Sequence, residues 1–274
     1  MPAVRMDQLK SQIDGLCQRF TKPAHFECAL VDLLESYADL TYQPGEDVAS
    51  SRLVPSYHVP ALVLIQLEQT LFPLVQEKPE AALSLVDLLW RNAYLEPRQI
   101  ACNLLGQIPL DYIDEILDRL TRWSSPDTDS IFLRELYERG TVRIRRGDPN
   151  RLLNLIHAWI HDPNPHLQIC GLHLLIPLIQ DPTFEYLPSV FRLLDTVLPA
   201  PAPERQNILI SIIMTLSRQA PGETRFFLQQ MLSKHPNPNL VQLIRRSLSS
   251  FPSADQSALR TVLSKSSREP GRTP

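Results

Sequence analysis

The sequence predicts an all-α fold, a superhelix of stacked antiparallel helical hairpins, and three observations carry the prediction. The first is that apolar residues recur at helical spacing between proline breaks. There are 25 prolines against 8 glycines, and no segment alternates as a half-buried strand would. The second is the hairpin at Asp148 to Leu175. Leu152, Leu153, Leu155, Ile156, Trp159 and Ile160 mark one helix, His161 to Pro165 stops it, and Leu167 to Leu175 opens another. The third is repetition. Trp90, Trp123 and Trp159 each close an amphipathic run, at separations of 33 and 36 residues. His235-Pro236-Asn237-Pro238-Asn239-Leu240 echoes Asp162-Pro163-Asn164-Pro165-His166-Leu167, with Leu240 73 residues after Leu167. A single hairpin cannot bury all its apolar surface, so hairpins repeating at this length stack on one another.

The elements follow in order. Leu9, Ile13, Leu16, Cys17 and Phe20 form the stripe of a first helix. Pro23 suits the first turn of a second, whose inward face runs from Phe26 through Leu30, Leu33, Leu34 and Tyr37 to Leu40. Residues 41–58 have no sustained period and are expected to form a long loop. Pro60 begins a helix with Leu62, Leu64, Ile65, Leu67 and Leu71, which Pro73 should kink or end. Hairpins are then expected at 79–90 with 96–106, 111–123 with 126–139, and 149–161 with 164–180. Two more follow at 184–198 with 204–218 and 222–234 with 239–251, and a capping helix spans 253–265. The expected organisation is an N-terminal helical cap and long loop over 1–58, repeats over 59–265, and a disordered tail over 266–274.

Composition narrows the function class. The net charge of -3 hides an asymmetry: residues 1–137 carry 11 Lys+Arg against 20 Asp+Glu, and residues 138–274 carry 16 against 10. The basic half has either uneven surface charge or a face for a polyanion. Cys17, Cys28, Cys102 and Cys170 lack metal-ligand spacing and read as small buried residues in a reducing compartment. No signal-type core follows Met1, and no run approaches the roughly 20 apolar residues of a membrane span, so a cytoplasmic location is expected.

Few residues point to chemistry. Asp129 stands at the start of a helix, where a carboxylate can cap free N–H groups and meets the positive end of the helix dipole. The three tryptophans occupy equivalent repeat positions, which fits packing between repeats. Arg143, Arg145 and Arg146 form the densest cationic cluster and fall in an inter-repeat turn, either gripping phosphates or simply solvated. Reversing all three to glutamate is expected to abolish polyanion binding with little loss of melting temperature. His157 and His161 lack an intervening HExxH acid, no phosphate-binding glycine loop occurs, and no metal or small-molecule cofactor is expected.

Three stretches carry a resemblance, the last being Ile210 to Phe227, which ends a helix at Ala220-Pro221 and resembles a following repeat. Asp127-Thr128-Asp129-Ser130-Ile131 is similar to a W-D-T-V-D-S-I motif, and Trp159-Ile160, Asp162, Asn164 and Leu167-Gln168 to a W-I…D-N…L-Q hairpin. On these, the region from about Leu120 to Met231 resembles the bacterial DNA alkylation repair glycosylases built from HEAT-like repeats. The resemblance implies a HEAT-like α-solenoid whose basic groove holds the duplex. It also implies an aspartate, here Asp129, that stabilises the cationic sugar as an N3- or N7-alkylated purine departs, with Trp123 standing in for the family's tryptophan. The chain departs from the pattern at the arginines: Ile169 follows Leu167-Gln168, and Ser211 to Leu216, with Met214, replaces W-V-L-R.

The expected function is therefore a non-catalytic binding or scaffold protein related to those repair proteins. Its partner, a protein or double-stranded DNA, would lie on the concave face, contacted by Trp123, Trp159, Arg143, Arg145 and Arg146. The alternatives are an alkylpurine DNA glycosylase with Asp129 as catalytic carboxylate, and a regulatory module gated by the 41–58 loop. A monomer without membrane association is expected.

Overall fold

The computed structural model describes residues 5–39 and 54–266, and most of the loop expected at 41–58 and of the tail expected at 266–274 lies outside them. Among the described residues every regular element is helical, and no helix is long and apolar enough to cross a membrane. The chain divides into two compact units, Met1–Asp148 and Pro149–Pro274.

In the first unit, α1 (Met6–Cys17) and α2 (Pro23–Ser36) form a hairpin, followed by α3 (Ala61–Glu77), α4 (Pro79–Leu89), α5 (Leu95–Leu105), α6 (Ile113–Trp123), α7 (Ser130–Arg139) and the short α8 (Val142–Gly147). Neighbouring helices pair, and a second set of contacts links alternate helices: α1 on α3, α3 on α5 and α5 on α7, with α2 on α4 beside them. The α4–α6 link is made by side chains. Trp90, capping α4, stacks on Trp123 with ring centroids 4.5 Å apart and 9° between planes. A two-pronged ion pair joins Arg119 to Asp87 at 2.5 and 3.1 Å. The tryptophan spacing thus marks packing between hairpins, as the sequence implied.

Three elements differ from expectation. Helix α3 runs through Pro73 to Glu77 and buries Val63, Leu67, Leu71 and Val75 completely, leaving Leu62, Ile65 and Phe72 exposed. Four buried aliphatic side chains at a spacing of four each contribute about 1.5–3 kcal/mol, enough to fix that face inward despite a proline near the end. The second difference is at Arg143 to Arg146, which lie in α8 rather than in a turn. Helix α7 also begins at Ser130, four residues after Pro126, and Cys28 is exposed rather than buried.

Residues 54–58 lie against the start of α5. The buried Glu96 accepts from Ser56 Oγ at 2.7 Å, Tyr57 N at 3.1 Å and His58 N at 2.9 Å. Leu95 N donates to Pro55 O at 2.8 Å, and Tyr57 stacks on Tyr94 at 4.2 Å. His58 takes a left-handed φ of 53° at the corner this clamp creates.

The second unit holds α9 (Pro149–Ile160), α10 (Pro165–Gln180), α11 (Leu187–Val197), α12 (Gln206–Gln219), α13 (Pro221–Lys234), α14 (Pro238–Ser247) and α15 (Ser253–Ser266). Helix α10 packs on α9 and on α12, α12 on α14, and α13 on α15, while Phe191 and Phe227 join α11 to α13 at 5.0 Å. Helices α9 and α10 approach closely at Gly171, where an added Cβ would come within 2.9 Å of Ile160 Cγ1.

The repeated Pro-Asn-Pro is one capping device used twice. Asn164 accepts from His166 N at 3.0 Å, and Asn237 accepts from Asn239 N at 2.8 Å, with Pro165 and Pro238 each opening the helix that follows. Asparagine at the cap satisfies an N–H the helix cannot, and proline in the first turn sacrifices none. Gln168 adds a further lock, donating to Asp162 O at 2.6 Å and accepting from Arg205.

Candidate functional site

Helix α7 organises the candidate site because its two ends carry different chemistry. At its start, Asp129 is the N-cap: its Oδ1 accepts from Ile131 N at 2.9 Å. The loop leading to it is rigidly held. Thr128 Oγ1 donates to Trp123 O at 2.9 Å, and the buried Ser124 hydroxyl lies 2.7 Å from the Tyr137 hydroxyl. Asp129 and Trp123 therefore share one rigid corner. Trp123 is only 6% exposed, and its ring stacks on Trp90.

Arg98 of α5 is the residue at this corner that sequence reasoning missed. Its Nε donates to Asn92 O at 2.6 Å, and its guanidinium sits 3.9 Å from the Phe132 ring centroid and 5.3 Å from that of Trp90. Burial draws the Arg98 guanidinium below its ordinary range, opposed by Cys102 and by the negative charge of Asp129. The one legible signal was spacing: Arg98 precedes Phe132 by about the interval that separates Trp90 from Trp123.

At the other end of α7 lies a cleft of ≈ 490 Å³. Phe72, Leu110 and Val142 give it apolar walls, and Arg139, Arg143 and Arg146 line it together with Asn103 and Gln107. Ten residues of helix place the two ends of α7 about 15 Å apart, so Asp129 and these arginines do not form one site. The close packing of helix ends shapes the cleft. At Gly106, an added Cβ would meet Arg139 O at 1.9 Å, so only glycine lets the ends of α5 and α7 meet there.

The arginine cluster divides. Arg143 donates to Gln76 Oε1 at 2.6 Å and to Gln107 O at 3.0 Å, and Arg146 is exposed on the cleft wall. Arg145 turns the opposite way. It is 9% exposed and donates to Tyr137 O at 3.0 Å, Glu138 O at 2.9 Å and Thr141 Oγ1 at 2.5 Å. It satisfies the last carbonyls of α7 and is a structural cation rather than a solvated one. Arg139, which the sequence did not single out, joins the cleft while paired to Glu135 at 2.6 Å and lying 4.0 Å from Glu68. Trp159 belongs to the second unit, where it is 4% exposed and packs beside Gly171.

Behind the cleft, Glu68 accepts from Asn103 Nδ2. Burial pushes its carboxyl above the ordinary glutamate range, Arg139 pulls it back, and Glu135 pushes it further up. An acid whose pKa is raised in the folded state stabilises the fold below its unfolded pKa. That contribution is lost as pH rises through the raised value. Glu68→Gln, neutral at every pH, is therefore expected to melt above wild type at pH 8. Near pH 4, where Glu68 is itself protonated, the two should melt together. Thermal melts at the two pH values check this, and an equal gap at both would refute it.

Among the described residues no group of three or more His, Cys, Asp or Glu side chains is placed to hold a metal.

The comparisons with known proteins give one match. The family described as DNA alkylation repair enzyme matches residues 59–246, which spans α3 to α14. No curated protein and no solved structure gives a match.

Proposed function

Because the chain belongs to the family of DNA alkylation repair enzymes, we propose that it holds double-stranded DNA without removing a base from it. In each unit a row of alternate helices packs in succession, α1 on α3, α3 on α5 and α5 on α7 in the first and α10 on α12 and α12 on α14 in the second, which supports a HEAT-like repeat with one row of helices facing the partner. Within the first unit, Arg143 and Arg146 on the cleft wall would supply cations for phosphate.

The observation that carries the non-catalytic part is the environment of Asp129. Loss of an alkylated purine leaves positive charge on the sugar, and a carboxylate helps only if its own charge is available at that atom. Asp129 already accepts the capping bond from Ile131 N, which commits one of its carboxylate oxygens to the helix start. The Arg98 guanidinium also covers the face of Phe132 that a cationic sugar or base would use. Ile169 and Met214, standing where the resembling family has an arginine and the W-V-L-R segment, supply no donor to phosphate. Misplacing a catalytic group by ~1 Å can cost about 100-fold in rate, so a loosely held duplex would not react. One observation favours the glycosylase alternative: Asp129 caps the helix that carries Phe132, and the preceding Thr128 hydroxyl is bonded to Trp123 O.

Duplex binding at two salt concentrations and base release from alkylated DNA test both parts. Arg143→Glu with Arg146→Glu, sparing Arg145, should weaken duplex binding at least about tenfold and flatten the salt dependence by about two phosphate contacts. A wild-type chain that binds no duplex would transfer the role to a protein partner. Release of 7-methylguanine or 3-methyladenine should not exceed the spontaneous rate, with Asp129→Asn behaving alike. Base release that vanishes in Asp129→Asn would make the protein a glycosylase.

A further inference from the structure

The cleft at the C-terminal end of α7 has the lining of a site for a small ligand, and its volume falls within the range of about 300–1,000 Å³ that such sites occupy. Three features specify what would fill it. The first is charge. Arg143 is held by two neutral acceptors, Gln76 Oε1 and Gln107 O, so those bonds orient the guanidinium without cancelling its charge. Arg146 stands on the same wall, and Arg139 beside it shares its charge with Glu135. The second is the ring of Phe72, which is 45% exposed on the rim although it belongs to a well-packed helix. The third is an acceptor lacking a donor. Gln107 lines the cleft, and its Oε1 is buried without a hydrogen bond, a state that costs free energy and that a rotation of the side chain toward a bound donor would relieve.

We propose that this cleft binds a nucleoside monophosphate unit. Its phosphate lies against Arg143 with Arg146 adjoining, its base lies flat on Phe72, and a hydroxyl or amino group donates to Gln107 Oε1. An arginine held by neutral groups suits phosphate because its fork of donors matches the anion's oxygens. An exposed ring suits a base because stacking needs only a π-face.

The proposal shares the phosphate-binding role of Arg143 and Arg146 with the duplex-binding reading, and the two fail separately. Calorimetric titration of the full chain with AMP, adenosine and inorganic phosphate is the test. AMP should bind at least about tenfold more tightly than adenosine. Arg143→Ala should weaken AMP at least about tenfold, the loss expected for a bond to a charged group. Phe72→Ala alters an exposed rim residue and so leaves the fold intact. It should weaken AMP about tenfold and leave phosphate binding unchanged. A 5′-phosphorylated oligonucleotide that competes with AMP assigns the site to a strand end, and one that does not assigns it to the free nucleotide. AMP binding no tighter than adenosine, or insensitive to both substitutions, overturns the proposal. Duplex binding without AMP binding sinks this inference alone, and AMP binding without duplex binding sinks only the duplex reading.

Discussion

Arg145→Glu is expected to destabilise the first unit by about 3–5 kcal/mol, a loss that would appear as a melting temperature lower by about 10 °C. The guanidinium reaches back to the end of α7 and donates to the carbonyls of Tyr137 and Glu138, which have no partner within their own helix. It also donates to Thr141 Oγ1, whose own proton goes to Tyr137 O at 2.5 Å. A glutamate there would remove these bonds, leave the Glu138 carbonyl without its donor and Tyr137 O with the Thr141 hydroxyl alone, and set a negative charge against the negative end of the helix dipole. Arg143→Glu with Arg146→Glu changes two side chains on the cleft wall and should melt within about 1 kcal/mol of wild type. If Arg145→Glu melts like wild type, its carbonyl bonds do not hold the end of α7. Reversal of all three arginines would confuse binding with unfolding, contrary to what the sequence alone implied.

Glu96→Ala is expected to release residues 54–58 from α5 at a cost of about 2–4 kcal/mol. The carboxylate is 3% exposed and receives three donors, from Ser56 Oγ, Tyr57 N and His58 N. Hydrogen bonds to charged groups contribute about 1.5–3 kcal/mol each, and truncating the acceptor leaves two backbone N–H groups without it. The Tyr57–Tyr94 stack and the Leu95–Pro55 bond remain and offset part of the loss. Limited proteolysis should cut at 54–58 much faster in the variant, and unchanged cleavage would show that Glu96 is not the clamp.

Hairpins and caps were the legible part of the sequence. Asn164 and Asn237 act locally, through their own backbone neighbours, so the Pro-Asn-Pro echo reports them without knowledge of the fold. The Trp90–Trp123 stack was legible because repetition turns sequence spacing into spatial adjacency. The inward face of α3 was not legible. In Ala61 to Leu67 nearly every residue is apolar, so periodicity selects no face, and packing alone chose Val63 and Leu67 over Leu62 and Ile65. The split of the arginine cluster was hidden for a related reason. Helix α8 is six residues long, too short to display a period, yet one turn of it sends Arg143 and Arg146 to the cleft and Arg145 inward. Arg98 and Arg139 were invisible because their roles depend on rings and carboxylates from other helices.

The placement of the tryptophans makes the two units optically distinguishable. Trp90 and Trp123 lie in the first unit with nearly parallel rings 4.5 Å apart, and Trp159, the third of the chain's three, lies in the second. Two indoles at that distance share their excited states, so their transitions split into a paired signal in circular dichroism, whereas Trp159 absorbs singly. Loss of the paired signal marks the parting of α4 from α6, and a change in the remaining indole emission marks loosening around α9. The order in which the two halves of the chain come apart can therefore be followed without any label.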